Sequence, residues 1–170
     1  MMKEPEIHWP ECYKPQNTAV HVRNTLTIAA QPEHVWVWLV RALSWPDWYV
    51  NAANVRFLQG TTPNLGLNTQ FRWKTFGITI SSTVLEYVPG ERIAWDAHGL
   101  GFEGYHAWLL QPVGRGCYVQ TEETQNGWLA RLNQLFLPHR MSKYHQIWLE
   151  SLAVKACYGL PPDAPKRLNN

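Results

Sequence analysis

The chain has 170 residues, and its 15 Lys and Arg against 13 Asp and Glu leave a formal net charge of +2. Hydrophobic residues make up 45% and charged residues only 16%, which excludes a disordered chain and suits one domain with a sizeable core. With no basic stripe, the small positive charge does not point to nucleic acid, and no apolar run approaches the roughly 18–20 residues of a membrane helix.

Residues 1–18 hold Pro5, Pro10 and Pro15 and read as an irregular arm without an apolar signal core. Ile7, Trp9 and Tyr13 suit this arm to docking on the domain. From residue 19 the chain alternates. Val20, Val22, Asn24, Leu26 and Ile28 share one side, the pattern of a half-buried strand. Gln31-Pro32-Glu33 opens a helix with Pro in the first turn and an early carboxylate, and Val35, Trp36, Leu39 and Val40 give it an apolar stripe. A short turn or small helix follows at residues 44–49. Strands are then expected at 55–58, 71–74, 78–88, 92–97, 102–110 and 117–124, separated by Gly- and Pro-containing turns, as in an antiparallel meander.

Helical spacing begins at Gly127 and runs to Tyr158, broken at Pro138, whose missing N–H and ring clash interrupt a helix. Met141, His145, Trp148 and Leu152 lie 4, 3 and 4 apart, on one face of the second part. Gly159 and Pro161-Pro162 end it, and residues 161–170 read as a polar tail. The expected organisation is therefore an arm (1–18), a single domain (19–160) and the tail. Cys12, Cys117 and Cys157 are widely spaced without C-x-x-C, which reads as free thiols in a reducing cytosol and hence a cytoplasmic protein.

One strand, two short helices, six strands and a long helix give an α+β architecture, a curled antiparallel sheet gripping the C-terminal helix. Strand parity selects what faces the gap between them. On 78–88 the more aliphatic face carries Ile78, Ile80, Ser82, Val84, Glu86 and Val88. A two-residue turn at Pro89-Gly90 sets Glu86 opposite Ile93 and Val84 opposite Trp95. His106 and Trp108, Thr121 and Glu123, and Phe71 and Trp73 are chosen inward on their strands. The gap is then lined by Phe71, Trp73, Trp95, Trp108, Met141 and Trp148 and interrupted by Ser82, Glu86, His106, Thr121, Glu123 and His145. A largely apolar concavity with sparse polar groups is how small-molecule pockets are built.

Several short motifs carry a resemblance. They are Ile28-x-Ala30-x-Pro32-Glu33-x-Val35-Trp36, Trp45-Pro46-x-Trp48, Gly66 with Phe71-x-Trp73, Val84-x-Glu86-x-x-Pro89-x-x-Arg92-Ile93-Ala94-Trp95, His106-x-Trp108 and Trp148-Leu149-x-x-Leu152. In this order the chain resembles the START-like, or SRPBCC, superfamily over roughly residues 19–158. That superfamily includes the birch-pollen allergen group, lipid-transfer START domains and bacterial polyketide cyclase/dehydrase-like proteins. The resemblance implies a helix-grip fold around a hydrophobic pocket without fixing one activity. It also places Trp45, Trp48 and Tyr49 at the pocket mouth, where Phe136, Leu137 and Pro138 would complete a lid.

Gly99-Leu100-Gly101-Phe102-Glu103-Gly104 matches G-x-G-x-x-G, but a strand follows it where a dinucleotide site needs a helix, so it reads as a hairpin turn. There is no G-x-S-x-G nucleophile elbow and no H-E-x-x-H, and no His pair has ligand spacing along the chain, so neither a metal nor a cofactor is expected. Glu86 is the sharpest acid/base candidate, because a carboxylate among aliphatic side chains and Trp95 is costly to ionise. His106 and Ser82 are its candidate partners for polarising a carbonyl oxygen.

The leading expectation is binding of a hydrophobic small molecule, aromatic, polyketide-like or lipid. Its contacts would be Trp48, Tyr49, Phe71, Trp73, Trp95, Trp108, Thr121, Glu123, Met141, His145 and Trp148. The alternatives are a cyclase or dehydratase working through Glu86, His106 and Ser82, and a partner-binding module with a filled interior and an exposed apolar patch. The oligomeric state stays open.

Overall fold

The computed structural model of the chain describes residues 6–162. Seven antiparallel strands form one curved sheet: β1 (Val20–Ile28), β2 (Ala53–Gln59), β3 (Gln70–Thr75), β4 (Ile78–Val88), β5 (Arg92–Gly99), β6 (Phe102–Val113) and β7 (Gly116–Asn126). Their order across the sheet is β1-β7-β6-β5-β4-β3-β2. Each of β2 to β7 pairs with its chain neighbour, as a meander requires, and β1 closes the far edge against β7. Helix α1 (Pro32–Leu39) and a 3-10 turn (Ala42–Asp47) fill the long connection between β1 and β2. Helices α2 (Trp128–Phe136) and α3 (Arg140–Tyr158) complete the chain and are separated at Pro138. This is the helix-grip architecture.

The local reasons are the expected ones. Pro32 sits at the start of α1 and Glu33 in its first turn, and Val35, Trp36 and Leu39 bury one stripe. On α3 the buried residues His145, Leu149, Leu152 and Ala156 lie 4, 3 and 4 apart and face the concave side of the sheet. Gly159, at φ 137°, ends α3, and its carbonyl accepts a hydrogen bond from the Trp38 indole at 2.7 Å, which ties α3 to α1. Asn24 on β1 donates to the Ser142 carbonyl at 3.1 Å and fixes the other end of α3.

The β4–β5 hairpin departs from expectation. Its loop has three residues, Pro89-Gly90-Glu91, with Gly90 at φ 77°, and Val88 pairs with Arg92. A register shift between Val84 and Glu86 compensates, so Val84 still faces Trp95 while Glu86 falls opposite Ala94. A bulge of one residue reverses the side-chain parity beyond it. Glu86 is therefore not inside. It lies on the outer face, where it accepts from Arg92 Nε at 2.9 Å and contacts His8 Nδ1 at 2.8 Å. Tyr87 takes the inward side and packs on Trp36, with ring centroids 5.4 Å apart.

That outer face is covered by the arm. Ile7, Trp9 and Tyr13 pack on Ala94, Tyr105, Ala107 and Leu109 of β5 and β6. Tyr13 stacks on Tyr105 with centroids 5.7 Å apart, and its carbonyl accepts from Thr124 Oγ1 at 2.9 Å. The arm thus closes the convex side of the sheet, not the interior between sheet and α3. The polar tail lies outside the described residues beyond Pro162. No described helix is long and apolar enough to cross a membrane.

Candidate functional site

The interior between sheet and α3 has two ends. One is solid. The 3-10 turn drives Trp45 into the centre of the fold, where its ring centroid lies 5.1–6.0 Å from those of Phe71, Trp73, Trp95 and Trp148. Trp45 is fully buried and donates its indole N–H to the Leu39 carbonyl at 2.9 Å. It is a plug, not a residue at the mouth. Trp108 packs on Trp148 beside it, with centroids 5.1 Å apart.

The other end holds a cavity of about 60 Å³ under α2. Trp73, Ile80 and Trp95 wall it from the sheet, Leu129 and Leu137 from the α2 side, and Trp148 from α3. The polar side of this cavity is built by strand pairing. The two-residue turn Gly114-Arg115 between β6 and β7 sets His106 directly opposite Glu123, and α3 lays His145 over both. Glu123 Oε2 lies 3.2 Å from His106 Nδ1 and 3.1 Å from His145 Nε2. Its other oxygen accepts from Gln125 Nε2 at 2.5 Å.

A carboxylate only accepts, so the hydrogen bond from His145 to Glu123 puts a proton on His145 Nε2. His106 Nδ1 faces the same oxygen as a close charge contact, and its other nitrogen, Nε2, is hydrogen-bonded to Thr121 Oγ1 at 2.7 Å. His145 Nδ1 is buried without a partner among the described residues. Burial holds the His106 imidazole down to about 3, against the upward pull of the Glu123 charge. Burial works to raise the Glu123 carboxyl, but the two imidazoles and the Gln125 amide outweigh it and hold it down to about 2. The cluster is a buried carboxylate held by two imidazoles and an amide.

The structure separates the residues expected around a ligand. Tyr49, Trp73, Trp95, His106, Glu123, Met141, His145 and Trp148 border the cavity. Phe71 and Trp108 face inward but belong to the solid end, because Trp45 occupies the space before them. Thr121 sits behind His106 as its hydrogen-bond partner. Ser82 lies behind Trp73 and accepts from its indole N–H at 3.4 Å. Trp48 is half-buried and donates to Ser44 Oγ at 3.1 Å. Glu86 is on the opposite side of the sheet, so the grouping of Glu86, His106 and Ser82 as acid/base partners does not form.

Phe76, Phe102, Leu129 and Arg140 also border the cavity and lie outside the expected set. Their shared signal is position, at turns or on the helices near Pro138, where strand parity is silent. The His106, Glu123 and His145 ligand atoms all lie within 4.8 Å of one another, a cluster that a search for spacing along the chain does not find. The hairpin register is the available signal, since the turn at Gly114-Arg115 fixes the pairing of His106 with Glu123.

A family model described as polyketide cyclase / dehydrase and lipid transport matches residues 19–156. The chain belongs to that family. Among solved structures it is similar to the hypothetical protein jhp0584 from Helicobacter pylori, at 26% identity and a TM-score of 0.85, covering 92% of this chain and 99% of that one. It shares the fold of TTHA0849 from Thermus thermophilus, at 17% identity and a TM-score of 0.67, covering 82% and 98% of the two chains. It also shares the fold of the di-domain ARO/CYC StfQ from the steffimycin biosynthetic pathway, at 17% identity and a TM-score of 0.69, covering 84% of this chain and 52% of that one. No curated protein matches the sequence.

In this member of the family, α2 is the cover of the cavity. It starts at Gly127, where φ is 106°, and Leu129 N–H donates to the Gly101 carbonyl at 2.9 Å. Gly101 seats the cover, because a Cβ there would come within 2.4 Å of the Trp128 ring. The G-x-G-x-x-G stretch is accordingly the β5–β6 hairpin with α2 leaning on it. The outer side of α2 leaves Trp128, Leu132, Leu135 and Phe136 exposed. Below the cover, Arg140 donates to the Phe76 carbonyl at 3.3 Å and lies 5.1 Å over the Phe76 ring, linking α3 to the β3–β4 turn. A cavity of about 60 Å³ has room for a few waters and, as it stands, none for a polycyclic ligand.

Proposed function

We propose that this protein binds an apolar, planar small molecule, with rings on the scale of an aromatic polyketide, in the cavity beneath α2. The observation that carries this reading is the pairing of flat apolar walls with a single polar spot. Trp73, Trp95 and Trp148 offer rigid indole surfaces, and Glu123 with His145 and His106 offers a directional hydrogen-bond site on one side of them. Burial of ring surface supplies affinity at about 25 cal/mol per Å², and the Glu123 carboxylate accepts from a hydroxyl or phenol of the ligand and sets its orientation. Membership of the family and the likeness in fold to a steffimycin-pathway ARO/CYC protein support a ligand of this kind.

The test is a tryptophan-fluorescence titration with aromatic polyketides, flavonoids, sterols and fatty acids, repeated on Glu123→Gln with mass spectrometry of every mixture. Saturable quenching by a hydroxylated ring system, weakened about tenfold or more in Glu123→Gln, is the expected result, since a hydrogen bond to a charged group contributes roughly 1.5–3 kcal/mol. Conversion of a ligand that stops in Glu123→Gln would make the same site catalytic. Failure of every ligand to quench would overturn the reading and turn attention to the exposed apolar face of α2.

A further inference from the structure

We propose that His106, Glu123 and His145 form a binding site for one first-row divalent transition-metal ion. Two imidazoles and one carboxylate are the donor set of mononuclear zinc and non-haem iron sites. Donors about 2.0–2.2 Å from an ion and about 90–110° apart lie roughly 3.0–3.5 Å from one another. Nδ1 of His106 and Nε2 of His145 are 3.2 and 3.1 Å from Glu123 Oε2, within that range, and one ligand atom from each of the three residues lies within 4.8 Å of the other two.

The surroundings of two of the three ligands match what such a site needs, while His145 Nδ1 has no partner among the described residues. Ligating imidazoles and carboxylates are held from behind by hydrogen bonds. Thr121 Oγ1 stands 2.7 Å from the far nitrogen of His106, and Gln125 holds the second oxygen of Glu123, so Oε2 faces only the two imidazoles, and an ion would displace the proton that His145 Nε2 donates to it. The Thr121 hydroxyl is able to accept from His106 Nε2–H, the tautomer that leaves Nδ1 its lone pair for a metal. Charge points the same way. The side chains of all three residues are at least nine-tenths buried, and among the described residues neither Lys nor Arg contacts the Glu123 carboxylate. Buried carboxylates are paired with a cation or ligate a metal. The cavity on the open side of the cluster gives room for waters in the remaining coordination positions.

The metal site shares Glu123 and the two histidines with the proposed ligand site, and the test separates the two readings because its probe is the metal alone. Chelator-stripped protein is titrated with Zn²⁺ by calorimetry and with Co²⁺ by visible absorption. One ion per chain is expected, with a submicromolar Kd and a Co²⁺ d–d spectrum of a four- or five-coordinate site. Glu123→Gln and His145→Gln should each weaken binding by at least a hundredfold. Thr121→Val, which touches no metal, should weaken it about tenfold or more. His98→Gln, an exposed histidine on β5, should change nothing. Absence of saturable binding in the wild type overturns the proposal, and so does uptake that survives both ligand substitutions with circular dichroism unchanged. Should Glu123→Gln not fold, His145→Gln and Thr121→Val decide alone.

Discussion

The two ends of the interior are made from the same materials and arrive at opposite results. Both are walled by Trp73, Trp95 and Trp148, yet one end is filled by Trp45 and the other holds a cavity with a buried carboxylate. The difference comes from what the flanking helices deliver. The 3-10 turn after α1 delivers an indole to one end. At the other, α3 brings a histidine over a pair of polar strand residues. Aromatic walls are therefore not evidence of a ligand by themselves. They mark a site only where a directional polar group faces them and no side chain fills the gap.

The largest effect expected from breaking this contrast is at Trp45. Trp45→Ala should lower stability by about 3–5 kcal/mol in urea denaturation, the range for deleting a buried aromatic side chain. The vacated space is apolar, so indole added to the variant should recover part of the lost stability, as apolar cavities accept apolar guests. A loss below about 1 kcal/mol would mean that the solid end is not solid. Tyr13→Ala should come next, at about 2 kcal/mol, by uncovering Tyr105 and Ala107 on the outer face. Ligand and metal binding should be unchanged in this variant, because the arm touches the other side of the sheet.

Gly101→Ala tests the cover. Its φ of 73° and the Trp128 ring 2.4 Å from a new Cβ both oppose the methyl group. A loss of about 1 kcal/mol is expected, together with faster ligand association in stopped-flow fluorescence as α2 lifts. Slower association would instead assign entry to another route.

Most of the fold was legible in the sequence because it rests on periodicity and punctuation. The 78–88 strand, the break at Pro138 and the stripe on α3 follow from alternation, a missing N–H and 4-3-4 spacing, all local properties. The site was legible only in part, because it depends on register. His106, Glu123 and His145 each read as inward polar residues, but nothing local brings a strand pair and a helix residue to one point. The same dependence misplaces Glu86. Pro89-Gly90 fits a two-residue turn as well as a three-residue loop, and the bulge after Val84 that absorbs the extra residue leaves no mark in the apolar pattern.

Glu86 therefore yields the smallest and most selective prediction. The carboxylate pairs with Arg92 and His8 on the outer face, where both Glu86 and Arg92 side chains keep 17% exposure. Glu86→Gln retains the shape and one hydrogen-bond acceptor while removing the charge. Partial solvent access lets water take up the rest, so the stability cost should stay within about 1 kcal/mol. Ligand affinity and Zn²⁺ affinity should both match the wild type, because the sheet stands between this carboxylate and the cavity. Affinity lowered tenfold in Glu86→Gln would show that β4 runs without its bulge in solution and that the inward carboxylate is Glu86. Equal affinity, set against the loss expected for Glu123→Gln, assigns the chemistry of the pocket to one face of the sheet by two substitutions of the same kind.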